Sequence, residues 1–492
     1  MGGLQHFWEQ GDLITRGVAV LLLLMSVSAW VLIVWKGWLL RRVRSDIARA
    51  VPAFWAAPTL AEGQRQLMTT VKLERDGSRW RMRREKDVEP FASSDADTQR
   101  IWWTDAGVHQ NITFPVHPDP ISGMHCWHQA VRVTKAGPDE RAAVPSFRVR
   151  KIAKGYSHVW DVQSVGSEGW LFTERDSATL RLLHGGTART VRFPNGKVWV
   201  SGETGLMSLA VDPRFADNRR FYTCSGWRTP TGHDVRVLAW KLSGDGRRAI
   251  AKGPLVTGFP TSSGRHGGCR LLIEKETGAL FVGTGDAAVG TNPENLRSLG
   301  GKVLRLDRQT GKPWPDNPFI SATNVKKRYV YNYGHRNVQG LAQRADGTLW
   351  SAEHGPDRDD EINQVLSGAD YGWNPVPGYN ESVPMTDQSL PGDQTDAAWS
   401  SGFPTLATSG AVWVYGEKWG SLRGTMAVAA LKAGRIVFLR FDADGVFVRS
   451  RAPQALREFG RLRSLTLAAN GDLLATTDNG SNDAILRITP TP

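Results

Sequence analysis

Cysteine is scarce. Three residues in 492 (Cys126, Cys224 and Cys269) with no Cys-x-x-Cys pair exclude a fold held by a disulfide framework and a cysteine-based zinc ribbon. Long apolar runs are scarcer still. Only Gly17 to Trp35 reaches the length of a membrane-crossing helix, so there is no second helical span. The chain also lacks a concentrated patch of charge. Lys and Arg (61) outnumber Asp and Glu (48) for a net charge of +13, but the excess is spread along the sequence. The densest basic runs, 36–49 and 79–86, carry no nucleic-acid-binding motif, and no nucleic-acid partner is expected. The HCWH run at 125–128 sets metal-ligating side chains next to one another, a poor spacing for a tetrahedral site.

What is present points to turns and sheets. Glycine (52) is plentiful and tryptophan (20) unusually frequent, which suits a β-rich fold. The chain divides into three parts: 1–67, a membrane anchor with its span at about 17–35; 68–146, a linker or small region without a motif; and 147–492, a repeating region. The span runs directly into WKGWLLRRVR without a small-residue cleavage site, which favours a retained anchor over a signal peptide. Glu9, Asp12 and Arg16 precede it, and Lys36, Arg41, Arg42 and Arg44 follow. By the positive-inside rule the C-terminal side is then cytoplasmic.

From about Phe147 one design recurs, a turn glycine followed by a short apolar strand ending in Thr, Ser or an acid. It appears in SEGWLFTERD, ETGALFVGTGD, ADGTLWSAEHG and ANGDLLATTDNG, with looser members at 205–225 and 424–442. Six such units predict an all-β, six-bladed β-propeller. A single β-sandwich needs no sixfold signature.

Two dense motifs sit in this region, YNYGHRNVQG (331–340) and AEHGPDRDDEINQVLSGADYGW (352–373). The first places Arg336 and Asn337 among glycines, where backbone approaches a ligand closely. The second follows a Gly355-Pro356 turn with Asp357, Asp359, Asp360 and Glu361, oxygen-rich chemistry suited to calcium. Upstream, His266 lies in SGRHGGCRL with Asp286 twenty residues on, at the end of the next strand. A hairpin of that length brings the pair together, and a carboxylate that fixes a histidine tautomer yields a general base. Lys432, Arg461 and Arg463 add cations from other repeats. Arg461 and Arg463 alternate across one residue, which on a strand turns both to one side. Together these cations suggest a pocket for a polyanionic planar ligand.

Two resemblances follow from these stretches. The opening LQHFWEQGDLITRGVAVLLLLMSVSAWVLIVWKGWLLRR resembles the start of ExbB/TolQ-type proton-channel subunits, over roughly the first 65 residues. The later spans of that family are missing, so channel function is not implied. The region from about 147 to 490 resembles the PQQ-dependent soluble aldose sugar dehydrogenases of the glucose/sorbosone dehydrogenase family. The carrying stretches are LFTERD, GLMSLAVDPRFADNRRFY, RHGGCRL, VGTGD, NLRSLGGKVLRLDRQTGKPWPDNPF, YGHRNVQGLA, EHGPDRDDEINQVLSGADYGW, LKAGRIV and GRLRSL, in family order.

That resemblance implies oxidation of an aldose to its lactone by hydride transfer to PQQ. His266 would be the base, Asp286 its orienting carboxylate, and Arg336 and Asn337 contacts of the quinone oxygens. Lys432, Arg461 and Arg463 would meet the cofactor's carboxylates. Carbonyls of Gly355 and Pro356 would hold a catalytic Ca2+, and Glu361 with the Tyr371 carbonyl a structural one. Glu203 stands where members efficient on glucose carry glutamine, and the loop NPVPGYNES after Trp373 departs from the family pattern. The expected partners are a sugar, an electron acceptor and, through the anchor, the membrane. Family chemistry places the propeller in the periplasm, against the flanking charges. The competing functions are a calcium-dependent propeller lactonase or hydrolase, which needs a carboxylate-rich central site, and a non-catalytic binding scaffold.

Overall fold

The computed structural model describes residues 144–491, together with the backbone of four strands upstream. Those strands form two separate antiparallel pairs. β1 (Lys72–Asp76) pairs with β2 (Arg79–Arg83), and β3 (Asp97–Asp105) with β4 (Val108–Val116). The span at 17–35, the ExbB/TolQ-like opening, the basic run 36–49 and the HCWH segment lie outside the described residues. Among the described residues no helix is long and apolar enough to cross a membrane.

The 144–491 region contains six four-stranded antiparallel sheets. After β5 (Ser146–Tyr156), blade one holds β6 (Val159–Ser164), β7 (Trp170–Glu174), β8 (Thr179–His184) and β9 (Thr187–Val191). Blade two holds β10 (Leu206–Val211), β11 (Arg220–Thr229), β12 (Gly232–Leu242) and β13 (Ala249–Phe259). Blade three holds β14 (Gly268–Ile273), β15 (Leu280–Thr284), β16 (Lys302–Leu306) and β17 (Val330–Tyr333). Blade four holds β18 (Val338–Gln343), β19 (Leu349–Glu353), β20 (Glu361–Gln364) and β21 (Trp399–Ser400). Blade five holds β22 (Thr408–Trp413), β23 (Met426–Ala430), β24 (Arg435–Phe441) and β25 (Phe447–Arg451). Blade six joins β26 (Leu462–Leu467), β27 (Leu473–Thr477) and β28 (Asp483–Thr491) to β5. Pairing runs from Asp483↔Tyr156 to Thr491↔Ser146, so both ends of the region share one sheet and close the ring.

The four tight repeats of the sequence are the second strands β7, β15, β19 and β27, and the looser two contain β11 and β23. A second strand has a neighbour on each edge and blades on both faces, which is why it reads as a continuous apolar run. The glycine before it has a steric cause. At Gly169 (φ +110°) a Cβ would lie 2.0 Å from the Leu183 carbonyl oxygen. The apolar core is distributed between neighbouring blades: Met207, Tyr222, Val237, Leu271 and Val282 pack across blades two and three. Each such buried side chain contributes about 1.5–3 kcal/mol.

The first strands of successive blades line the axis, and there the packing turns polar. Asp161, fully buried on β6, accepts from Ser208 Oγ (2.8 Å), Ser464 Oγ (2.8 Å) and Arg270 Nη1 (2.9 Å). Arg270 Nε donates to the Gln339 carbonyl (2.8 Å). Carbonyls, hydroxyls and one ion pair thus tie five blades together without leaving the charge unpaired. A second tie is covalent. Cys224 on β11 is disulfide-bonded to Cys269 on β14, with Cα atoms 5.6 Å apart. The absence of a framework stands, yet one crosslink joins blades two and three.

Candidate active site

His266 precedes β14 in a segment that leaves ordinary strand geometry. His266 (φ +50°), Gly268 (φ +55°) and Cys269 (φ +74°) all lie in the left-handed region, a conformation non-glycine residues hold only where surroundings enforce it. The enforcement is visible: a Cβ on Gly285 would sit 1.9 Å from the His266 carbonyl oxygen, so the two hairpin arms meet backbone to backbone. Asp286 follows Gly285 directly.

Asp286, fully buried, accepts four hydrogen bonds. Its Oδ1 takes His266 Nδ1 (2.8 Å) and the Ala288 N–H (2.7 Å), and its Oδ2 takes Trp373 Nε1 (2.9 Å) and the Tyr379 hydroxyl (2.7 Å). A carboxylate surrounded by donors places the histidine proton on Nδ1 and leaves Nε2 as the free base nitrogen. His266 lines a cavity of about 320 Å3.

Around that cavity stand three basic side chains, Arg265, Arg336 and Lys432, with Glu203, Glu381, His354, Gly355, Pro356 and Asp360. Arg336 is buried at the start of blade four. Its N–H donates to Glu353 Oε1 (2.9 Å), Nη1 to the His354 carbonyl (3.0 Å) and Nη2 to Glu381 Oε1 (2.6 Å). Its Nε is buried without a hydrogen-bond partner. His354 Nε2 is in the same position. Burial first, then Arg463, Arg336 and His266, holds the His354 imidazole well below its ordinary value, hence neutral. Lys432 is exposed, its ammonium donating to Thr405 Oγ1 (3.2 Å).

The acidic motif is shared out among different tasks. Asp357 is exposed, and Asp359 pairs with Arg358 (2.7 Å). Asp360 ties the turn, accepting from the N–H groups of Gly355 (3.0 Å) and Leu406 (2.6 Å). Burial pushes its carboxyl up to about 6, against those backbone donors. Glu361 is buried on β20 with Oε1 unpartnered. Burial, then the neighbouring Glu353 carboxylate, pushes it well above the usual range. Tyr371 is buried with its ring stacked on His335, 4.5 Å between centroids.

The structure therefore gathers His266, Asp286, Arg336, Lys432, Gly355, Pro356 and Glu203 in or directly behind one cavity. Other predicted positions fall elsewhere. Asn337 is one residue from Arg336 but is occupied within the protein: Oδ1 accepts the Gly268 N–H (3.1 Å) and Nδ2 donates to Glu203 Oε2 (3.1 Å). The expectation that Arg461 and Arg463 face the same way off a strand is corrected. β26 begins at Leu462, so Arg461 lies in the preceding loop, exposed. Arg463 is buried, held by Asp478 Oδ2 (2.8 Å to Nε) and Gln339 Oε1 (3.0 Å). The strand period applies only inside a strand. His335, also in the first motif, is a core residue paired with Glu353 (2.7 Å).

Sequence inspection missed Arg265, His354, Tyr379 and Glu381. The last two come from the long connection between β20 and β21, which carries no periodic pattern. It is anchored where the Tyr371 N–H donates to the Tyr333 carbonyl (3.0 Å) and the Trp373 N–H to the Gly334 carbonyl (2.9 Å).

Comparison with known proteins places the chain in a family. The Glucose / Sorbosone dehydrogenase family model matches residues 156–487. An aldose sugar dehydrogenase of Escherichia coli (strain K12) is 28% identical over 363 residues, 71% of this chain and 94% of that protein. Quinoprotein glucose dehydrogenase B of Acinetobacter calcoaceticus is 30% identical over 241 residues, 43% of this chain and 49% of that protein. Among solved structures, the PQQ-bound aldose sugar dehydrogenase of Streptomyces coelicolor matches with a TM-score of 0.60 and 26% identity, over 72% of this chain and 99% of that one. The soluble aldose sugar dehydrogenase of Escherichia coli matches with a TM-score of 0.62 and 26% identity, over 70% of this chain and all of that one.

Proposed function

Because the chain belongs to the glucose/sorbosone dehydrogenase family, we propose that it is a PQQ- and calcium-dependent aldose sugar dehydrogenase with His266 as its general base. The observation that carries the proposal is the His266–Asp286 pair at 2.8 Å on the wall of a cavity lined by Arg336 and Lys432.

The residues present fit the cofactor. Arg336 Nε and His354 Nε2 are buried at the cavity without partners; an acceptor oxygen or carboxylate of a ligand would complete the Arg336 Nε–H, and a ligand donor the lone pair of the neutral His354 ring. The carbonyls of Gly355 and Pro356 would hold the cofactor's calcium, and the orphaned Glu361 Oε1, with the Tyr371 carbonyl, a structural one. PQQ, when bound, supplies the two-electron acceptor. His266 Nε2 takes the proton of the substrate's anomeric hydroxyl, and Asp286 holds the imidazole and stabilises the imidazolium that forms. Arg336, fixed by Glu353 and Glu381, keeps positive charge beside the reacting centre, where it stabilises developing negative charge. The product is the sugar lactone. A calcium hydrolase site, which needs carboxylates without a cluster of cations, is disfavoured because Arg265, Arg336 and Lys432 share the wall with Glu203, Asp360 and Glu381.

We also infer that the 17–35 segment tethers the protein with its propeller on the periplasmic side. The Cys224–Cys269 disulfide supports that placement, since such bonds persist in oxidising compartments. A C-terminal reporter active only on the cytoplasmic side would refute it. The function is tested by loading the full-length protein with PQQ and Ca2+ and following dye reduction with a panel of aldoses. Turnover with at least one aldose, abolished in His266→Gln while PQQ binding persists, is expected. A folded, PQQ-loaded protein inert to every aldose refutes the proposal.

A further inference from the structure

The Asp286–His266 pair is not held by its own hairpin alone. The β20–β21 connection of blade four crosses to blade three and sets Tyr379 against both residues. The Tyr379 hydroxyl lies 2.7 Å from Asp286 Oδ2 and 2.9 Å from His266 Nδ1. The crossing is tight: a Cβ on Gly290 would lie 2.2 Å from the Gly378 carbonyl oxygen. The Tyr379 ring also meets Trp373 edge-on (6.3 Å between centroids) and carries the Arg265 guanidinium 5.8 Å from its centre.

We propose that Tyr379 is a positioning residue that fixes the proton of His266 on Nδ1, a role that rests on the base assignment above. Nδ1 faces two oxygens, Asp286 Oδ1 and the phenol. The phenol's only proton points to Asp286 Oδ2, so its oxygen offers a lone pair to Nδ1. With the proton on Nδ1 both contacts are attractive. With the proton on Nε2, the Nδ1 lone pair would face the Asp286 carboxylate, the phenol could satisfy it only by giving up its bond to Asp286 Oδ2, and Nε2 would no longer be a base. Burial, then Asp286, pushes the Tyr379 phenol well above its ordinary value, so it remains a donor throughout the working range. The other charged or titratable groups on this wall are Glu203, Arg265, Arg336, His354, Asp360, Glu381 and Lys432, and none of them hydrogen-bonds Nδ1.

The test is Tyr379→Phe in the full-length protein, with two readouts. In cofactor-free protein, 15N NMR of the His266 ring is expected to show one Nδ1–H tautomer in wild type and, with Asp286 still favouring that tautomer, a detectable Nε2–H fraction in the variant. In protein loaded with PQQ and Ca2+, kcat is expected to fall about tenfold, the effect of losing one such hydrogen bond, while KM and PQQ affinity stay within about twofold. Loss confined to KM or PQQ affinity, or an unchanged tautomer, overturns the proposal. The NMR readout needs no turnover, so a wild type inert to every aldose defeats the dehydrogenase assignment separately.

Discussion

Replacing Asp286 by Asn changes one oxygen to nitrogen at the most heavily bonded carboxylate of the site. Asp286 accepts from four donors, two of them rigid: the Ala288 N–H and Trp373 Nε1. Either orientation of the amide turns its NH2 against one rigid donor, so one buried contact becomes donor against donor. Hydrogen bonds to a charged acceptor, worth about 1.5–3 kcal/mol each, also become neutral ones of about 0.5–1.5 kcal/mol. Release from the cost of burying a charge offsets part of that sum, and a stability loss of about 1–3 kcal/mol is expected. Catalysis suffers more. An amide NH2 facing His266 moves the imidazole proton to Nε2, and no carboxylate remains to stabilise imidazolium. The corresponding change in a hydrolase triad costs about 10⁴ in kcat, so a fall on the order of 10³-fold or more is expected here. Dye-coupled turnover with saturating aldose measures it, with PQQ affinity as the control. A variant that keeps more than about a tenth of wild-type kcat refutes the argument.

Two further outcomes follow from other parts of the structure. Burial opposes ionisation of Asp478, but Arg463 and His158 hold its carboxyl below the usual range. A depressed carboxyl contributes stability above the ordinary carboxylate range and loses it as pH falls below about 4. Asp478→Asn should therefore flatten the stability–pH curve below pH 5 and, by leaving Arg463 without its carboxylate, cost about 3 kcal/mol at pH 7. Denaturant unfolding from pH 3 to 7 checks both. At Glu361, added Ca2+ should raise the melting temperature and a chelator reverse it, by about 2.7 kcal/mol at a hundredfold excess over Kd. Glu361→Gln should lose most of that calcium increment, and an undiminished increment places the ion elsewhere.

The propeller was readable because its second strands are buried on every side and so repeat an apolar run behind a turn glycine. The approach of His266 to Asp286 was readable for a similar local reason: one hairpin joins them. Contacts carried by irregular segments were not. Tyr379 and Glu381 reach the site from a connection without period, and the two cysteines of the disulfide lie 45 residues apart with no spacing signal. Arg463 shows the converse error. Its charge and spacing pointed, with Arg461, into a ligand pocket, but Asp478 and Gln339 hold it in the protein interior. Its partners are set by the ring, which local pattern does not encode.

Every role assigned to the site depends on one cavity holding PQQ beside a histidine base. Anaerobic mixing of an aldose with full-length protein loaded with PQQ and Ca2+, without any dye, tests it most directly. The cofactor spectrum should convert to the reduced form by one equivalent per site in wild type, and at least about 10³-fold more slowly in His266→Gln. Equal rates in the two proteins, or no conversion while PQQ is demonstrably bound, would contradict it.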